Sequence, residues 1–132
     1  MDMEILVSAV LKAHGFPTTP NVLTVSVARL VKIDFHPPNM LLYAELDIQR
    51  GFAFNANLHI NPRIRHRGIG ARLQAAYEEI CREARVTILI NNNRNPAFWR
   101  KLGFRRLNPF RQMLLSRHLN IAFDKGSMYK VV

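Results

Sequence analysis

Residues 58–73 read LHINPRIRHRGIGARL. An apolar alternation runs up to Ile60 and stops at Pro62. Four positive or potentially positive side chains follow (Arg63, Arg65, His66 and Arg67), then Gly68 and Gly70. Helical spacing begins behind them: Leu73, Ala76, Tyr77, Ile80, Cys81 and Ala84 fall at i, i+3, i+4, i+7, i+8 and i+11. A strand, a glycine loop and a helix start make an anion site. The first N–H groups of a helix have no partner within it, and its dipole favours negative charge there. The glycines either remove a Cβ where an anion must approach the backbone, supply φ > 0, or simply make a tight turn. The loop lacks the Gly-Lys-Ser/Thr of a P-loop and the third glycine of a dinucleotide fingerprint.

Upstream, GFAFNANLHI at 51–60 alternates with period two. Phe52, Phe54, Ala56, Leu58 and Ile60 are expected on one face, with Ala53, Asn55, Asn57 and His59 on the other. QRG at 49–51 reads as a tight turn after a strand at 40–48, where Tyr43, Glu45 and Asp47 share a face. Residues 22–35 read as one or two strands, rich in β-branched residues. A short helix is expected at 4–14, with Ile5, Ala9 and Lys12 in line and Gly15 and Pro17 ending it.

Downstream, 86–91 reads as a short buried strand. NPAFWRKL at 95–102 reads as a helix with Asn95 as N-cap, Pro96 at its first position and Gly103 as its stop. Strand resumes at Phe104, residues 111–119 carry no clear period, and 126–132 reads as a last strand. The order predicts a mixed α/β domain over 1–132.

The chain has 132 residues, 48% of them hydrophobic, and a net charge of +10. That is enough for one core and argues against global disorder. The charge is segregated. Residues 1–62 hold four Lys/Arg and five Asp/Glu, a net of −1; residues 63–117 hold thirteen and three, a net of +10. Twelve of those thirteen bases are arginine, whose planar fork donates two parallel hydrogen bonds to phosphate. Surface charge usually mixes signs, so the segment points to a phosphate-bearing ligand or a polyanionic partner. The N-terminal stretch carries acids where a signal peptide carries bases, no apolar run is long enough to span a bilayer, and Cys81 is alone. A cytoplasmic setting is expected. No metal-ligand spacing occurs among the five scattered histidines and the single cysteine.

Residues 58–70, an apolar strand, a Pro turn and then Arg65-His66-Arg67-Gly68-Ile69-Gly70, resemble the acetyl-CoA signature of the GNAT N-acetyltransferase superfamily. A second motif follows in order. Asn95-Pro96-Ala97-Phe98-Trp99-Arg100-Lys101-Leu102-Gly103-Phe104 resembles the family's Asn-x-x-Ala-x-x-Tyr-x-x-x-Gly-Phe region in compressed form. The resemblance covers about residues 50–107 well. It implies a mixed, mostly antiparallel sheet with helices on both faces and a splayed central strand pair into which acetyl-CoA wedges. The N–H groups around Arg65, His66, Arg67, Gly68, Ile69, Gly70 and Ala71 would hold the CoA pyrophosphate. The backbone about Leu58 and Ile60 would pair with the pantetheine arm. Asn95 matches a pantetheine contact, and Trp99 stands where the family often has a thiol-protonating Tyr.

The familiar catalytic positions are filled differently. The family's Glu or His on the strand before the glycine loop corresponds to Phe54 or Ala56, and its Glu on the following strand to Ile90. Substitute bases are His59, on the polar side of its strand, and Glu45, which with Asp47 would attract a cationic amine. Three functions are therefore weighed. The first is transfer of acetyl from acetyl-CoA to a primary amine of a small molecule or protein. The second is a CoA-binding protein of the same fold without that chemistry. The third is a basic nucleic-acid or ribosome-associated module acting through residues 63–117. The N-terminal acceptor region is short, which implies an open acceptor side completed by a second subunit.

Overall fold

The computed structural model describes residues 2–65, 67–91, 96–119 and 127–132. His66 and Asn95 lie outside the described residues. Helix α1 spans Met3–Ala13 and is capped by Asp2, whose carboxylate accepts the Ile5 N–H, with Glu4 in its first turn. Gly15, at φ +85°, ends it. Its buried face is Met3, Val7, Val10 and Leu11, whereas Ile5 is 67% exposed. The expected line through Ile5, Ala9 and Lys12 is thus the outer side. The stripe through Val7, Val10 and Leu11 offers more apolar area to the sheet, and that stripe wins.

Among the described residues, seven strands form one sheet in the order β1-β2-β3-β4-β5-β7-β6. They are β1 (Leu23–Val27), β2 (Val31–Phe35), β3 (Met40–Asp47), β4 (Phe52–Ile60), β5 (Ile88–Asn91), β6 (Arg105–Arg106) and β7 (Met128–Val131). Among the described residues only the β4–β5 pair is parallel. The segment 22–35 is therefore a hairpin of two strands. Helix α2 (Ile69–Glu83) crosses from β4 to β5, and α3 (Pro96–Lys101) follows β5. Residues 109–119 form a fourth helix, α4 (Pro109–Leu119), between β6 and β7.

β4 does not keep one period. Tyr43 pairs with Asn57 and Glu45 with Phe54, so two residues of β4, Asn55 and Ala56, oppose Ala44 alone. This is a β-bulge, and Asn55 sits in it at φ +52°. The extra residue reverses the facing of everything before it. Ala53, Ala56, Leu58 and Ile60 join the main core under α1 and α2, while Phe52 and Phe54 face the other way with Ile88, Ile90 and Leu115 of α4. The expectation that Phe52 and Phe54 share a face with Ala56, Leu58 and Ile60 is thereby corrected. Helices cover both faces: α1, α2 and α3 the main core, α4 the smaller cluster.

The α2 stripe falls as its spacing predicts. Leu73, Ala76, Tyr77, Ile80, Cys81 and Ala84 are all buried, at 2% exposure or less. The helix ends against Arg85 at φ +60°, a left-handed residue without the freedom of glycine. Arg85→Gly is expected to raise stability by about 0.5–1 kcal/mol, seen as a higher urea midpoint at unchanged slope.

Candidate functional site: a strand gap and an uncapped helix end

β4 and β5 pair at only two positions, Phe52 with Ile88 and Ala53 with Leu89. β4 then runs on to Ile60 while β5 ends at Asn91, so the two strands part beyond Ala53. Among the described residues, the β5-facing edge of β4 from the bulge to Ile60 therefore has no neighbouring strand. Asn91 lies two residues past the last pair. Its side chain is 2% exposed, and neither its Oδ1 nor its Nδ2 has a hydrogen-bond partner among the described residues. A buried amide with four unmet hydrogen-bonding positions is costly unless something else satisfies it.

The gap leads to the glycine loop. Pro62–Ile64 make one 3-10 turn whose start is capped by Asn61, and the Arg65 Nε donates to the Ile60 carbonyl at 3.0 Å, which folds the loop back on the end of β4. Gly68 stands at φ +72°, with open space where a Cβ would be. Its role is conformational. Gly70 is helical, and a Cβ there would rest 3.4 Å from the Phe98 ring and 3.6 Å from Ile60. Those are ordinary contact distances, so the packing of α2 on β4 and α3 would admit a methyl group there. The first hydrogen bond of α2 runs from the Arg72 N–H to the Gly68 carbonyl. Ile69, Gly70 and Ala71 therefore have no partner for their N–H groups within the helix. Where α1 has Asp2 and Glu4, α2 has neither a capping side chain nor an acid in its first turn. Arg63, Arg65 and Arg67 are exposed around this end.

On the opposite face, the bulge turns Asn55 onto Glu45. The Asn55 Nδ2 donates to Glu45 Oε1 at 3.0 Å, and the Tyr43 hydroxyl donates to the same oxygen at 3.3 Å. Burial and the adjacent carboxylate hold the Tyr43 phenol above its ordinary range, so it remains a donor. Asp47, by contrast, is committed to structure. It is 5% exposed, accepts the Arg50 N–H at 3.1 Å and lies 3.6 Å from the Arg50 guanidinium. His59 is exposed and pairs across the ladder with Leu41, two register steps from the Tyr43 row. The structure thus gathers Tyr43, Glu45 and Asn55 beside the strand divergence and leaves His59 apart.

Phe54 and Ile90, at two of the three family catalytic positions, form an apolar wall with Phe52, stacked on Phe54 at 5.2 Å, and Leu115 of α4. Ala56 lies in the core. Trp99 is 6% exposed and makes edge contacts with Phe98 and Phe104, so its side chain packs the core beneath α3. Cys81 is fully buried, and burial pushes its thiol up to about 12, which leaves almost no thiolate near neutrality. Asn91 and Asn55 were missed by sequence reasoning. A strand ending in Asn gives no sign of an unpaired side chain, and Asn55 reads as one more polar position in an alternation.

No described helix is long and apolar enough to cross a membrane. No curated protein and no solved structure matches the chain. The model of the acetyltransferase (GNAT) family matches residues 25–104, from within β1 to just past α3, which takes in the parted strands and the glycine loop between them. The chain belongs to the acetyltransferase (GNAT) family.

Proposed function

We propose that the protein transfers an acetyl group from acetyl-CoA to a primary amine. One observation carries the reading: an unpaired strand edge runs directly into an uncapped helix N-terminus. That arrangement suits a ligand with an amide-bearing arm at one end and a pyrophosphate at the other. The free N–H groups of Ile69, Gly70 and Ala71 would hold the pyrophosphate, with Arg65 and Arg67 adding charge-assisted bonds and His66 and Asn95 expected alongside. The β4 backbone about Leu58 and Ile60 would take the pantetheine amides as an added strand, and Asn91 would meet one of them. Bound there, acetyl-CoA supplies an activated thioester carbonyl.

The chain's own residues then have two tasks. Glu45, steadied by Asn55 and Tyr43, attracts a cationic amine and accepts its proton, passing it to solvent through its exposed side. The apolar wall of Phe52, Phe54 and Ile90 keeps water from the thioester. Trp99, where a protonating Tyr is common, carries only an indole N–H, which is no acid at neutral pH. A thiolate is a far weaker base than an alkoxide or an amine anion and leaves the tetrahedral intermediate readily, so no protein acid is needed at that step. The acceptor is a small molecule or a protein amine, and a cytoplasmic setting suits the lone reduced cysteine.

The test is a native mass spectrum of the purified protein followed by calorimetry with CoA. Retained CoA, and at least about tenfold weaker binding in Gly68→Glu, is the expected result. Gly68→Asn, which tolerates φ > 0, keeps most of the affinity. Wild-type affinity in Gly68→Glu would show that the loop is not the anion cradle.

A second reading rests on charge. The described arginines of 63–117 are all exposed, and the ion pair seen among them joins Arg82 to Glu78 at 3.9 Å. Such a surface supports contact with nucleic acid or another polyanion, whose affinity would fall steeply with salt.

A further inference from the structure

The two edges of the sheet are built differently. β6 is two residues long and both are exposed arginines, which blunts that edge against pairing. β1, at the other end, reads Leu-Thr-Val-Ser-Val, with no charge, proline or bulge. Its ladder with β2 fixes which way its backbone faces. The Ala28 N–H donates to the Leu30 carbonyl and the His36 N–H to the Val22 carbonyl, so Thr24 and Ser26 turn toward β2. Leu23, Val25 and Val27 therefore turn outward. The Leu23 N–H is taken by the Thr19 carbonyl at 3.1 Å, while those of Val25 and Val27 have no partner among the described residues.

Beside this edge, α1, the 17–21 loop and β1 enclose a groove of about 420 Å³ lined by Ile5, Ala9, Pro20, Leu23 and Val25, with Glu4 and Ser8 on its α1 side. Two large apolar side chains stand out next to it, Ile5 at 67% and Val27 at 64% exposure.

We propose that β1 pairs antiparallel with β1 of a second copy about a dyad through Val25, joining the two sheets into one. This register brings the Val25 N–H of each copy to the partner's Val25 carbonyl and the Val27 N–H of each to the partner's Leu23 carbonyl. Every free N–H of the edge is then satisfied. The same register sets exposed Val27 beside the partner's Leu23, which lines the apolar groove. The absence of excess charge lets a second copy approach at this face. The chain carries +10, but residues 1–62 carry −1, so here two copies meet without the repulsion that the 63–117 segment would impose. A twofold antiparallel pair is self-complementary by construction.

The interface is small, so the dimer forms over about 1–100 µM. Light scattering across that range is expected to show the mass rising from 15.2 kDa toward twice that value. Val27→Lys changes an exposed side chain and places like charges at the interface. It is expected to move the midpoint at least about tenfold upward in concentration. Val25→Pro removes an N–H that β2 does not use and has the same effect by a different route. A wild-type mass that stays at 15.2 kDa throughout overturns the proposal, as does a dimer that survives both substitutions.

Discussion

Lys130→Met is expected to lower the unfolding free energy by about 3 kcal/mol, a large loss for a single polar substitution. Glu78 sits on α2 with its side chain 10% exposed, facing the sheet. Lys130 reaches it from β7, with Nζ at 2.9 Å from one carboxylate oxygen and 3.1 Å from the other. The same ammonium donates to the Leu102 carbonyl at 2.6 Å, at the end of α3. Gln74 adds a bond to Glu78 at 3.2 Å, and Arg82 stands 3.9 Å away at the rim. One lysine thus ties three elements together. The pair itself contributes little net energy, because burying two charges costs nearly what their attraction returns. Removing only the lysine is different, since the carboxylate stays buried with a glutamine and a distant arginine. Adding Glu78→Gln to Lys130→Met is expected to recover at least half of the loss. Chemical unfolding of the two single variants and the double variant measures this as a coupling of about 1.5 kcal/mol or more. Additive effects would show that the two groups act independently.

That pair also shows where the sequence stops being legible. The α2 stripe is readable because six apolar residues, Leu73 to Ala84, repeat at helical spacing over about three turns. Glu78 and Gln74 lie beside that stripe, and nothing local marks them as buried. Only Lys130, more than fifty residues later, makes their burial tolerable. The tight turns at 36–39 and 49–51 are readable from Pro, Asn and Gly, and so are the helix stop at Gly103 and the two ordered motifs. The bulge in β4 is not. Phe52 through Ile60 alternate apart from Ala53 on the polar side, and nothing local says that Asn55 adopts φ +52°. The reason is in the partner strand, where burying Ala44 and Leu46 against the core leaves β4 one residue too long. Helix α1 misleads for a simpler reason: its apolar residues are dense enough to draw two stripes, and only the sheet chooses. Helix α4 has few apolar residues in register, and its one inward anchor in the smaller cluster is Leu115. At the site, the loop is legible as chemistry, whereas Asn91 and the Asn55–Glu45 contact come from strand divergence and the bulge, which are properties of pairing.

The bulge also decides which acid should carry catalysis, and Glu45→Gln tests it. If Glu45 takes the proton of the amine, this substitution is expected to lower kcat/KM by about 10²-fold, within the range general bases contribute. The introduced amide would keep an oxygen for the Asn55 side chain and the Tyr43 hydroxyl, so the fold and CoA affinity should not change. What is lost is the negative charge and the proton acceptor. The remaining activity would depend on amine already neutral in solution. It should therefore rise about tenfold per pH unit below the amine's own pKa, more steeply than wild type. Asn55→Ala, which frees the carboxylate without removing it, should cost only about 3–10-fold. His59→Ala should change the rate by less than about twofold, because the ladder sets His59 away from the Glu45 cluster. CoA release with a panel of primary amines, followed across pH, reads all three variants. The fully buried Cys81 will not compete for a thiol reagent in the folded protein. Equal pH profiles for wild type and Glu45→Gln would remove Glu45 from the reaction and leave solvent as the proton acceptor. A loss confined to His59→Ala would instead place the chemistry at the outer end of β4, near the pantetheine edge rather than at the bulge.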